Sequence, residues 1–142
     1  MTIIMTTDLS EESQRAFVPT MELARQLHEP IVLLHVVPEH AGLPHGEPLA
    51  PSIQSSTLGA ELQQAQEALD TMAQGLEGDV KTAAISGLNV AEAIASYAEE
   101  NGASFIALST HGRTGFRRLV LGSIAEGVMR HATIPVICFP QK

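Results

Sequence analysis

Cysteine occurs once in the 142 residues, as Cys138, so the chain has no internal disulfide framework. A single thiol in an apolar run fits a reducing compartment, and the cytoplasm is the expected location. No apolar run reaches the ~20 residues that a membrane-spanning helix needs. The opening Met1-Thr2-Ile3-Ile4-Met5 has neither a basic n-region nor a cleavage pattern, so neither a membrane partner nor signal-directed export is expected. Basic residues are scarce too: 8 Lys and Arg stand against 16 Asp and Glu, for a net charge of −8. Binding nucleic acid non-specifically takes a broad basic surface, so nucleic acid is not an expected partner. A phosphate-receiver domain would carry clustered acids after its first strand and a late lysine. Here Asp8 stands alone and the only lysine near the end is Lys142. Thr6-Thr7-Asp8 is also no Ser-Gly-Gly pyrophosphatase loop.

What the chain does contain is a regular alternation of strand and helix patterns within a length suited to one domain. Thr2–Thr6 reads as a buried strand. Ser10 reads as the N-cap of a helix running to about His28, with Phe17, Met21, Ala24 and Leu27 or His28 toward one face. Pro19 falls inside it and predicts a kink or a later start. Ile31–Val37 is continuously apolar, as a parallel strand covered on both faces must be. Residues 38–57 hold Pro38, Pro44, Pro48 and Pro51 without a period and predict a long surface loop, whose length makes it a candidate lid over a site. Its His40 and His45 lack a metal-ligand constellation and read as solvated. From Leu58 to Leu76 the apolar residues recur at helical spacing. Val80–Ile85 alternates like an outer strand. Asn89 caps a helix with Val90, Ile94, Tyr97 and Ala98 inward, stopped by Asn101-Gly102. Phe105–Leu108 is a fourth strand, Ser123–Arg130 a helix, and Thr133–Pro140 a last strand whose prolines suit a sheet edge. The expectation is a single-domain α/β fold: an open parallel five-stranded sheet of order 3-2-1-4-5 with helices on both faces, Rossmann-like.

The chemistry is concentrated between Ser109 and Ser123. Gly112, Gly115 and Gly122 have no Cβ, so the main chain can turn its N–H groups toward a ligand. Ser123 and Ile124 open a helix, where unpaired amides and the macrodipole favour an anion. Arg113, Arg117 and Arg118 add local positive charge to an acidic protein. Ligands of such sheets sit beyond the strand C-termini where strand order reverses. Order 3-2-1-4-5 puts that crevice between the first and fourth strands, with Thr6-Thr7-Asp8 beside Ser109-Thr110-His111-Gly112. The same glycines also serve plain turns, and Asp8 also reads as a helix-entry acid. His35 and His111 read as hydrogen-bonded structural residues and not as catalytic ones.

These residues resemble the universal stress protein family over essentially the whole chain. The resemblance rests on Thr6-Thr7-Asp8-Leu9-Ser10, Leu33-Leu34-His35-Val36-Val37, Ser109 to Gly115, and Leu121-Gly122-Ser123-Ile124-Ala125-Glu126. The family's ATP-binding branch is marked by glycine, two residues, glycine, nine residues, then glycine with serine or threonine. Gly112 and Gly122-Ser123 match that spacing, while Ser109 replaces the first glycine and adds a Cβ there. The resemblance implies ATP, with Mg²⁺, as the ligand. It implies Asp8 and the main chain of Val36 at the adenine end, with Thr6, Thr7, Leu108 and Ser109 lining the crevice. Gly112, Gly122, Ser123 and Ile124 would donate to phosphate, with Arg113 beside them. It further implies a homodimer, for which Val136, Ile137, Cys138 and Phe139 offer an edge. The expected function is an ATP-binding, stress-response regulatory switch. A slow ATPase and a nucleotide-free interaction module are the alternatives.

Overall fold

The computed structural model describes residues 1–39, 51–110 and 121–140, of which 51–56 are described in backbone only. Strand β1 (Thr2–Thr6) leads through a 3₁₀ segment (Glu12–Ala16) into α1 (Phe17–Leu27). There follow β2 (Ile31–Pro38), α2 (Pro51–Gln74), β3 (Val80–Gly87), α3 (Val90–Glu100), β4 (Ala103–Ser109), α4 (Ser123–His131) and β5 (Val136–Phe139). The strands form one parallel sheet of order β3-β2-β1-β4-β5, as the alternation predicted.

Side chains alternate across a strand, so each apolar strand serves two cores. Ile3, Met5, Ile31, Leu33, Phe105 and Ala107 bury one face against Phe17 and Ala24 of α1 and Leu69 of α2. Ile4, Leu34, Val36, Ile106 and Leu108 bury the other against Ala91, Ile94 and Ala98 of α3 and Ala125 and Val128 of α4. The helices α3 and α4 approach closely at Gly127, where a Cβ would stand 2.6 Å from the Cβ of Ala91.

Three boundaries differ from expectation, each for a local reason. The first helix does not begin at Ser10. Ser10 Oγ accepts the Ser13 N–H at 3.2 Å, a tight 3₁₀ segment follows, and α1 starts at Phe17. Pro19 thereby falls in the first turn of α1, where an N–H has no intrahelical acceptor to lose. The loop expected over 38–57 is shorter at both ends: Pro38 closes β2, and Pro51 opens α2, so residues 51–57 are helical. Proline suits a first helical position because its φ is already set. The lid expected over that loop falls largely on 40–50, outside the described residues. Finally, β5 begins at Val136 and not at Thr133. Thr133 instead donates its N–H (3.2 Å) and hydroxyl (2.7 Å) to Glu99 Oε1 at the end of α3.

Candidate functional site

Beyond the C-terminal ends of β1, β2 and β4 the sheet opens on a cavity of about 400 Å³. The end of β1 and its following turn contribute Thr6, Thr7 and Asp8, with Ser13 behind them. Strand β2 adds Leu34, His35, Val36 and Pro38, and β4 adds Leu108, Ser109 and Thr110. Val90 and Ile94 of α3 form an apolar wall, and Gly122, Ser123, Ile124 and Ala125 bring in the start of α4.

The turn after β1 is held by its own side chains. Thr7 Oγ1 lies 2.7 Å from Ser13 Oγ and accepts the Leu9 N–H at 3.0 Å, while Leu9 takes a positive φ of 70°. Asp8 Oδ1 accepts the Ser10 N–H at 2.9 Å and also the Ser10 hydroxyl. Asp8 thus shapes the turn and lines the cavity. His35 Nδ1 lies 2.8 Å from the Thr7 carbonyl. A carbonyl only accepts, so Nδ1 carries the proton.

Opposite, Gly122 is the N-cap of α4, and among the described residues no side chain caps this helix. The amides of Ser123 and Ile124 belong to its first turn, where helical geometry supplies no acceptor. The Gly122 N–H donates to the Thr110 carbonyl, 2.7 Å away. Ile124 is 42% exposed at this helix start.

The expected site residues Thr6, Thr7, Asp8, Val36, Leu108, Ser109, Gly122, Ser123 and Ile124 therefore surround one cavity. Gly112 and Arg113 lie outside the described residues. Thr110 lines the cavity beside Ser109, where the strand order puts it, whereas Ser13, Leu34, His35, Pro38, Val90, Ile94 and Ala125 are wall residues that the sequence does not assign. Val90 and Ile94 were visible as the inward stripe of a helix, but only the sheet order says which end of that stripe meets the crevice. Among the described residues no group of three His, Cys, Asp or Glu side chains is placed to hold a metal ion, and no helix is long and apolar enough to cross a membrane.

Sheet order and crevice define a Rossmann-like α/β domain that opens at the strand C-termini against an uncapped helix start. The Universal stress protein family model matches residues 1–140, and the chain belongs to that family. It is 30% identical over 137 residues to Universal stress protein MJ0531 of Methanocaldococcus jannaschii, covering 95% of this chain and 79% of that protein. The solved structure of MJ0577 from the same organism superposes with a TM-score of 0.74 at 25% identity, covering 99% of this chain and 96% of that one. The fold is shared with a universal stress protein solved in complex with cAMP (TM-score 0.64, 19% identity, 100% of this chain and 98% of that one). It is shared too with one from Archaeoglobus fulgidus solved in complex with dAMP (TM-score 0.60, 21% identity, 97% and 96%).

Proposed function

We propose that the protein binds an adenine nucleotide, ATP with Mg²⁺, in this crevice and acts as a nucleotide-dependent homodimeric switch in the stress response of the cytoplasm. One observation carries the reading: a single cavity joins an apolar wall (Val36, Pro38, Val90, Ile94, Leu108) to the uncapped start of α4. A purine fits the first and a phosphate the second, since helix amides and dipole together favour an anion. The volume of about 400 Å³ falls in the range usual for small-molecule sites, roughly 300–1,000 Å³. The relatives solved with cAMP and dAMP carry the same base and a phosphate, which supports the class of ligand.

In this reading the whole chain acts as one nucleotide-binding domain. Ser123 and Ile124 donate main-chain N–H groups to phosphate, with Gly112 and Arg113 joining them. Asp8 is the carboxylate at the cavity wall. Mg²⁺ bound to a nucleotide keeps waters and phosphate oxygens in its shell and needs only one or two carboxylates, which is all this wall offers. The two copies meet through β5, the sheet edge with half-buried Val136, Ile137, Cys138 and Phe139.

Isothermal titration of the protein with ATP and Mg²⁺, alongside mass spectrometry of nucleotide retained through purification, tests the reading. Saturable binding that weakens at least about tenfold on Ile124→Pro, which deletes one first-turn amide, is the expected result. Absence of heat at millimolar nucleotide overturns it. Light scattering with and without nucleotide tests the dimer.

A further inference from the structure

At the crevice the ladder between β1 and β2 ends one step early, and two side chains take up main-chain groups that would continue it. In a parallel pair, alternate residues direct both N–H and C=O toward the same neighbour. Thr7 donates its N–H to the Leu34 carbonyl at 2.9 Å, so Thr7 and the even-numbered residues of β2 face each other. The next ladder bonds would run from the Val36 N–H to the Thr7 carbonyl and from the Leu9 N–H to the Val36 carbonyl. Neither forms among the described residues. The Thr7 carbonyl instead takes the His35 Nδ1–H at 2.8 Å, and the Leu9 N–H turns to Thr7 Oγ1 at 3.0 Å. Leu9 adopts φ 70°, which swings the chain away from β2.

Both main-chain groups of Val36 therefore face the crevice with their strand partners diverted, in a residue only 4% exposed. Buried main-chain donors and acceptors are almost always paired. A ligand edge with adjacent donor and acceptor, such as the amino and ring nitrogen of adenine, answers both. We propose that His35 is a positioning residue for the nucleotide site: its imidazole replaces the Val36 N–H at the Thr7 carbonyl and so holds the two strands apart for the base. This rests on the reading of the crevice as an adenine-nucleotide site. It adds which residue keeps the site open, and why a histidine stands in an otherwise apolar strand. Nδ1 donates in the neutral ring and in the imidazolium alike, so the clamp needs no particular charge.

The test combines binding with amide hydrogen exchange on wild type, His35→Leu, His35→Asn and Thr7→Val. Asparagine carries its N–H₂ where histidine carries Nδ1, so it keeps the donor; leucine does not. In wild type without nucleotide the Val36 amide exchanges faster than that of Leu34, and ATP slows it. In His35→Leu the strands zip one step further, so the Val36 amide is slowed without nucleotide. ATP then binds about three- to tenfold more weakly, the scale of one hydrogen bond. His35→Asn restores both properties, and Thr7→Val, which frees the Leu9 N–H, shares the loss of affinity. If His35→Leu fails to fold, the Asn and Val variants still decide. Unchanged Val36 exchange and unchanged affinity in His35→Leu and Thr7→Val overturn the inference. Wild type that binds no nucleotide overturns instead the reading beneath it, and the exchange of Val36 in the two variants still reports on the wedge.

Discussion

Cys138 lies on β5 with its Sγ 4.0 Å from the Sδ of Met129, and partial burial pushes its thiol pKa above the ordinary value. The thiolate is the reactive species, so a raised pKa leaves less of it near neutrality. Alkylation by iodoacetamide should therefore be slow near neutral pH and should keep rising above about pH 8.5, where a free thiol begins to level off. Mass spectrometry of the labelled protein across that range checks it; a plateau at the pH of free cysteine contradicts it. A second residue acts through one hydrogen bond. Asn89 is the extended N-cap of α3, and its side chain accepts the Glu92 N–H at 3.0 Å. Asn89→Ala should cost about 1 kcal/mol in denaturant unfolding, and Asn89→Asp far less. The cap was legible in the sequence, because an Asn three residues before an acid is a local signal; for Cys138 the sequence shows the apolar run around the thiol and not its partner Met129. The wedge at His35 was not legible. It depends on which main-chain groups of β2 face β1, and that parity exists only once the strands are in register.

At the scale of elements, what decides the site is how α4 is held with its first turn at the crevice. Its packing partner is α3, and the contact is steric: Gly127 lies against Ala91, with 2.6 Å left between an added Cβ and the Ala91 Cβ. Ala91 has no flexible end to move aside, so Gly127→Ala must part the helices. The gain in helix propensity, about 1 kcal/mol, works against an overpacking cost of about 1–3 kcal/mol. A net loss of stability of about 1 kcal/mol is expected by equilibrium unfolding, with Gly127→Leu worse; a more stable Gly127→Ala would show that the helices yield. Elements whose period is clean were readable from sequence, such as the continuous apolar run of β2 and the inward stripe of α3. Those whose ends are set by competition were not. Pro19 and Pro51 look alike as breakers in sequence, yet both fall in first turns, where proline does no harm. The family resemblance implies Gly122 among the phosphate donors. Its N–H meets the Thr110 carbonyl across the loop, a partner no local pattern reveals.

For the whole molecule, a parallel sheet covered on both faces presents open main-chain groups at its two edge strands, β5 and β3. The two edges are treated differently. The Ile31 N–H donates to the Asp79 carbonyl, which fixes the alternation along β3 so that Lys81, Ala83 and Ile85 face β2 and Thr82, Ala84 and Ser86 face outward. The outward Ala84 N–H is not left for another strand: Gln66 of α2 accepts it through Oε1 at 3.1 Å. The Gln66 amide is fixed in turn by donating to Thr82 Oγ1 at 2.7 Å and Asp70 Oδ1 at 3.0 Å, and the Thr82 hydroxyl bonds Asp70. A side chain thus occupies the position an added strand would take. Gln66→Leu keeps the bulk, removes the acceptor and leaves the Ala84 N–H unpaired on an open edge. It should lower stability by about 1 kcal/mol, and its mass by light scattering should climb with concentration beyond that of wild type. Glu substitution at the same position keeps an oxygen and adds a charge that discourages strand addition, so Gln66→Glu should hold the wild-type mass. If Gln66→Leu matches wild type at every concentration, the β3 edge is kept closed by something other than this glutamine.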